Sequence, residues 1–566
     1  MDKRLDRRHD GIRTASHPKL ITAGVLFPAL FFLAVFFLLP LALVAVTIID
    51  TKSPGILSAV SFITPSYFLK ITGFTFYQAF FSMILALVIG LPGGILLGRH
   101  TFPGKRLIQS LTAIPFMLPS IIIVLGFVLI YGNNGILNRF LVSALNTDKP
   151  PLKILYTKYA IILAHGFYNF PLTVRYVSAY VANLSKNQEQ AAAVLGAGRV
   201  RIFFTVTLPR LMPALLSAAS IIFIFCFLSF ALILVLGGGP KTTTLEVEVY
   251  RLARVHVDLR NAAVLGAAST AFALAVTYLY TLMQRTIQQT ETSATAGIAE
   301  PITGAVKKAF AGIYLFLIGL FSLSPLIAVF VKSIFTKSGY HGEARLSADA
   351  WVSLFSSRGR LLSAKSIGNS LVTAFAASVI AAGVGLSFAW VLRRIDKART
   401  AAVETLLMLP LGISSILLSL GYLSAKAYFN ISGSISMILI IMAHSVIAYP
   451  FVLRSILASY RKIPDSVLDS ASLLGAGTFA RFWTIEFPLV KKALIAAAAF
   501  SFAISMGEIN ASLMLAEGSF LTMPIAIYRL IGSYNFAGAC ALGTLLIITG
   551  AAAFFLIETL GGTDET

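Results

Sequence analysis

The chain has 566 residues, of which 57% are hydrophobic and 12% charged, with a mean hydropathy of +0.85 and a formal net charge of +22. A soluble domain carries about 25% charged residues, so this composition excludes an ordinary water-exposed globule. It also excludes a nucleic-acid binder: the basic residues are dispersed through short segments between long apolar runs, where they report membrane orientation.

In chain order, residues 1–19 are a basic N-terminus carrying Lys3, Arg4, Arg7, Arg8, Arg13 and Lys19. The apolar run 20–49 is longer than a secretory h-region and lacks an Ala-x-Ala site, so it reads as a permanent first helix. Runs without Asp, Glu, Lys or Arg follow at 71–98, 107–138, 211–240 and 261–284, and then at 309–331, 366–392, 405–425, 427–453 and 530–557. Two further runs hold one charge each, Arg175 in 159–184 and Glu508 in 493–515. Roughly 20 apolar residues cross a bilayer as helix, and the helix satisfies its own backbone there. The expectation is an all-α polytopic membrane protein with about twelve transmembrane helices.

Arg99, Lys105 and Arg106 in one short loop, and Arg393, Arg394, Lys397 and Arg399 in another, predict cytoplasmic faces and a cytoplasmic N-terminus. An even helix number places the C-terminus inside too. The bias is moderate, since Arg345, Arg358, Arg360 and Lys365 fall on an outer loop. Cys226 and Cys540 both lie in predicted spans and read as small packing residues, not as a disulfide framework or a metal site.

The chain repeats itself. Gln190 to Gly198 reads QAAAVLGAG, and Asp469 to Gly477 reads DSASLLGAG, offset by 279 (475 − 196). In each, a proline follows the first glycine by thirteen residues, Pro209 after Gly196 and Pro488 after Gly475. His165 and His444, Pro171 and Pro450, and Arg175 and Arg454 share that offset. Upstream the offset becomes 295 (410 − 115): Pro115 matches Pro410 and Gly126 matches Gly421. The first half therefore has sixteen extra residues (295 − 279) in its 131–158 loop. Pro40 and Pro325 mark the corresponding first helices, and Tyr250-Arg251-Leu252 matches Tyr528-Arg529-Leu530. We expect a first repeat at 20–285, a cytoplasmic linker at 286–306 and a second repeat at 307–566. Six helices per half predict parallel repeats about a pseudo-twofold axis along the membrane normal.

In each duplicated loop the sequence predicts a short helix, a turn, a second short helix and re-entry into the membrane. Leu195 then Gly196 suits a left-handed glycine cap, and Pro209 tolerates only a first helical turn. Val200, Ile202, Phe203, Phe204 and Val206 are apolar although the loop lies outside lipid, so they need a protein partner. The second loop repeats the device: Phe203 matches Phe482, Thr205 matches Thr484, and Phe204 becomes Trp483.

These loops resemble the Glu-Ala-Ala signature of permease subunits of binding-protein-dependent ABC importers. The resemblance implies a type I importer permease fold and two coupling helices, each seated on a cytoplasmic ATPase. It assigns that coupling role to Gln190, Ala191, Ala192, Gly196 and Pro209, and to Asp469, Ala471, Gly475 and Pro488. The chain departs from the pattern at the acid: Gln190 occupies the glutamate position, Glu189 lies one step early, and in the second loop Asp469 occupies it with Ser470 replacing the first alanine. A charge-assisted contact is thus lost from the first loop, and unequal coupling is expected. The implied partners are two ATPase subunits, a periplasmic or lipid-anchored substrate-binding protein and membrane lipid. No cofactor is expected in this chain, and ATP-Mg is used by the ATPase. The location implied is the bacterial inner membrane. The fused form is similar to thiamine and ferric iron permeases. Residues 236–246 (LGGGPKTTTLE) with Tyr250, residues 163–171 (LAHGFYNFP) and residues 531–534 (IGSY) look most like the thiamine group.

His165, Tyr168, Asn169, His444 and Glu508 are candidates for the substrate pathway. The symmetry of the histidines favours a shared packing or hydrogen-bonding role. A carboxylate inside a span usually serves a purpose, for Glu508 either in the pathway or as a partner for an arginine or a freed backbone N–H. The 237–244 stretch lacks the phosphate-loop pattern and reads as an outer turn followed by a short helix at 244–255. No catalytic group is detectable. The rival class, an ion-coupled secondary transporter, needs buried acids, and Glu508 is a rare one whose counterpart is Ser229.

Overall fold

The structure is a computed structural model that describes residues 18–49, 65–237, 239–288, 300–337, 344–355, 362–395, 397–431, 435–518 and 520–561. Most of the basic N-terminus, the middle of the linker and the outer-loop Arg358 and Arg360 lie outside the described residues.

Helices dominate because apolar sequence in lipid must bond its own backbone. Ten of them are long and apolar enough to cross a membrane among the described residues, from Gly24–Ile49 to Phe536–Ala553. The other two expected crossings take different forms. Lys158–Ala182 is a single long helix that carries Arg175. The 405–425 run is divided into Lys397–Leu407, a 3-10 turn Leu409–Gly412 and Ser415–Tyr428. Its counterpart divides similarly, into Lys105–Met117 and Ser120–Tyr131 at Leu118-Pro119. The extra residues of the first half form the helix Ile136–Leu145. Buried Asn138 ties down the loop after it, donating to the carbonyls of Gly132 and Leu152 and accepting from the Leu152 N–H.

Both sequence offsets hold in space. The Pro65–Arg99 helix packs along Lys158–Ala182 so closely that a Cβ on Gly90 would meet Thr173 at 2.5 Å. In the second half a Cβ on Gly385 would meet Val452 at 2.8 Å, where 385 − 90 is 295 and 452 − 173 is 279. Small residues allow this approach where helix association in lipid rests on packing.

The first helices are exchanged between halves. Leu39–Ile49 packs on Ser415–Tyr428 of the second half, and Ala305–Ile334 packs on Ser120–Tyr131 of the first. A Cβ on Gly421 would meet the Pro40 carbonyl oxygen at 2.6 Å, and one on Gly126 would meet Pro325 Cβ at 2.4 Å. The prolines and glycines that match between repeats thus seat on each other across the interface. Tyr422 donates to the Phe36 carbonyl at 2.6 Å, and Tyr314 donates to the Ile89 carbonyl at 2.7 Å, fastening both exchanges.

Two apolar runs are interrupted. The 211–240 run forms Leu208–Phe227, a break, and Ala231–Leu236. The 493–515 run forms Phe487–Gly507 and Asn510–Leu515. Glu508 therefore sits at a break between helices, not inside one. The short outer helix expected at 244–255 is present as Leu245–Arg254, and Met523–Gly532 is its partner in the second half.

Candidate coupling loops and central path

Each duplicated loop begins with a short helix, Asn187–Val194 in the first and Asp465–Leu473 in the second. Both end on a left-handed glycine, Gly196 at φ 82° and Gly475 at φ 83°. The cap is the same in each: the Ala197 N–H reaches the Ala192 carbonyl and the Gly196 N–H reaches Ala193, while Ala476 reaches Ala471 and Gly475 reaches Ser472. This pattern satisfies carbonyls that a helix end leaves bare. It needs a positive φ that a side chain disfavours.

The second short helix is not separate. Arg199–Ile202 and Thr478–Arg481 run through five-residue π-turns, Phe203–Thr207 and Phe482–Glu486, straight into the membrane helices Leu208–Phe227 and Phe487–Gly507. Pro209 and Pro488 follow immediately. Proline removes a donor and crowds the preceding turn, and the wider π-turn relieves that conflict. π-Turns of this kind concentrate at functional sites.

The turn between the short helices presents bare apolar side chains. Val194 and Leu195 are 87% and 86% exposed, and Leu473 and Leu474 are 82% and 89% exposed. Phe204 and Trp483 are exposed as well. Gln190 and Asp469 are exposed on the same short helices, Ala192 is half-buried and Ala471 is buried. Exposed apolar patches outside lipid mark interaction surfaces.

The inner ends of the loops are fastened by ion pairs that sequence reasoning missed. Arg99 forms a two-pronged pair with Glu189, with Nη1 to Oε2 at 2.9 Å, and Thr207 donates to the same carboxylate at 2.7 Å. Burial raises the Glu189 carboxyl, but Arg99 and Thr207 hydrogen bonds and the Arg99 charge more than offset it, leaving it below the ordinary carboxylate range. In the second half Arg394 pairs with buried Glu486 and lies over the Trp390 ring at 3.8 Å. Arg393 bonds Asp465 at 3.0 Å and the Ile463 carbonyl at 2.8 Å. The signal was present in the sequence, because Arg99 and Arg394 share the 295 offset, but charge at a helix end reads first as orientation.

The pathway candidates separate into two groups. His165 is buried with Nε2 2.8 Å from Ser229 and Nδ1 3.4 Å from Ser82. His444 is buried with Nδ1 2.7 Å from Ser505 and Nε2 3.0 Å from Ser512. Asn169 is buried and donates to the His165 carbonyl at 3.0 Å and to Cys226 Sγ. Glu508 instead lies where the halves face each other, next to the Gly507–Pro119 approach. Tyr168 lies against Phe116 and within reach of the Glu508 charge. The Glu508 carboxylate accepts the Ala511 N–H at 3.0 Å and a Ser415 hydrogen bond. Beside it, a Cβ on Gly507 would come within 3.0 Å of Pro119. Glu508 thus caps the short helix Asn510–Leu515, one of the alternatives the sequence left open. Its counterpart Ser229 sits at the equivalent break and holds His165.

The family described as "binding-protein-dependent transport system inner membrane component" matches at residues 90–293 and again at 377–560. The chain belongs to this family. It is a transmembrane permease subunit of an ABC importer, and the two matches are its two repeats. Among curated relatives, the thiamine transport system permease protein ThiP of Brucella abortus (strain 2308) is 27% identical over 497 residues, covering 87% of this chain and 88% of that one. ThiP of Escherichia coli (strain K12) is 27% identical over 505 residues, covering 88% and 90%. Among solved structures, a bacterial ABC transporter for import of the acidic polysaccharide alginate aligns with a TM-score of 0.41 at 16% identity, covering 48% of this chain and 96% of that one.

Proposed function

We propose that this permease carries thiamine or its phosphates inward from a substrate-binding protein. The similarity to thiamine permeases over nearly the full length of both chains carries this reading. Ligand-dependent ATPase stimulation tests it, comparing thiamine, its phosphates and ferric iron with the assembled complex. Stimulation by thiamine compounds and not by iron is expected. Stimulation by iron alone would move the chain to the iron group.

The two loops seat on two cytoplasmic ATPase subunits, which alone hydrolyse ATP-Mg. Gln190, Ala191, Ala192, Gly196 and Pro209 serve one seat, and Asp469, Ala471, Gly475 and Pro488 the other. Both chain termini lie on the cytoplasmic side, and the binding protein docks on the opposite face. ATP-driven closure of the ATPases moves the loops, and the interlocked halves rock to open the path outward. Hydrolysis resets it inward, so alternating access is driven from another chain.

Within the path, Tyr168 and Glu508 are the residues we assign to a cationic solute, an aromatic ring and a carboxylate at the junction of the halves. Glu508→Gln retains the helix cap, because the amide oxygen still accepts the Ala511 N–H. Loss of cation uptake with normal assembly is the expected outcome. Unchanged uptake would reduce Glu508 to a cap.

A further inference from the structure

The two arginines at the inner ends of the matching helices are equivalent: 99 + 295 is 394. The acids that neutralise them are not. The counterpart of Glu189 is Leu468 (189 + 279), and the counterpart of Glu486 is Thr207 (486 − 279). In the first half the carboxylate comes from the short loop helix before Gly196. In the second it comes from the π-turn after Gly475. Both routes reach one place, since Thr207 Oγ1 lies 2.7 Å from Glu189 Oε1. The two positions therefore flank a single charge site beside the arginine, and one acid fills it in each half.

Both pairs are well covered. The Arg99 and Glu189 side chains are 18% and 14% exposed, and those of Arg394 and Glu486 are 23% and 1%. An arginine left there without its acid is a partly buried unpaired charge, which is costly. Each pair joins a coupling loop to the end of the helix that packs against both membrane helices flanking that loop.

Building on the reading of these loops as ATPase seats, we infer that Arg99–Glu189 and Arg394–Glu486 are equivalent latches with exchanged acid positions. They are positioning residues that pass movement of each loop to the Pro65–Arg99 and Leu362–Leu392 helices. The requirement is one carboxylate at the arginine, supplied from either flank. The first loop is gripped on its short helix and the second on its re-entry turn.

The test transplants one arrangement into the other half. The full chain is assembled with its ATPase and binding protein in proteoliposomes, with thiamine as probe. Thiamine moved per ATP hydrolysed is measured for Glu189→Leu alone and for Glu189→Leu with Thr207→Glu. The single variant should lose about tenfold, within the usual range of a coupling free energy, while still holding the ATPase. The double variant should recover to near the starting ratio. Recovery without any residue at 189 able to accept a hydrogen bond separates a transferable latch from local packing. If the single variant fails to accumulate, accumulation and coupled transport by the double variant supports the latch equally. An unaffected single variant overturns it, as does a double variant that stays uncoupled or fails to accumulate. The reciprocal pair, Glu486→Thr with and without Leu468→Glu, must behave the same way. Failure of the unaltered chain to bring down an ATPase would instead defeat the reading of the loops as seats.

Discussion

The two duplicated loops share a backbone and differ in charge. Their glycine caps agree within a degree of φ, their π-turns occupy equivalent residues, and their tips expose apolar pairs of similar size. Polar chemistry diverges at every acid: Gln190 against Asp469 on the outer surface, Glu189 against Leu468 and Thr207 against Glu486 beneath it. In the proposed seating on two ATPase subunits, shape is the property both loops share. Charge drifts where each loop needs only a local neutraliser.

Substitutions at the loops test how far the likeness of shape and the difference of charge each matter. The largest effect is expected from Gly475→Pro, which cannot adopt φ 83° and loses the capping N–H. ATPase should no longer co-purify although the membrane helices persist. Normal association would show that the cap is dispensable. A charge at either tip, Leu195→Glu or Leu474→Glu, should weaken ATPase association comparably, because both tips are almost bare. A strong loss at only one tip, read by pull-down, would mean that one loop alone is seated.

Smaller differences are expected at the exposed polar positions. Asp469→Arg reverses a charge and should lower thiamine uptake more than Gln190→Arg, which only adds one. Equal losses would argue against unequal coupling. The smallest effect on transport should follow His165→Ala or His444→Ala. Each strands buried serine hydroxyls, costing about 1–3 kcal/mol of stability, seen as a lower Tm in detergent. Transport per folded molecule should stay close to that of the unaltered chain.

Much of this organisation was legible in the sequence. Apolar runs gave the helices, because lipid leaves the backbone no other partner. Repeat offsets gave the two halves, and glycine and proline spacing gave the caps and re-entry points. What stayed hidden were features set by neighbours distant along the chain. The exchange of first helices rests on Pro40 against Gly421 and Pro325 against Gly126, pairs whose members lie in opposite halves. The break at Glu508 has no proline or glycine pair to announce it beyond Gly507. The latches were invisible because their acids do not obey the repeat. Of the pathway candidates, Glu508 lies at the junction of the halves with Tyr168 in range of its charge, whereas His165, His444 and Asn169 are occupied by internal hydrogen bonds.

The most direct measurement is site-specific photo-crosslinking from positions 195 and 474 in membranes containing the chain with its ATPase and binding protein. ATPase adducts are expected from both positions in similar yield, with the Glu189→Leu variant still crosslinking while transport per ATP falls. Adducts confined to lipid, or an ATPase adduct from one position only, would contradict two equivalent seats with differently latched loops.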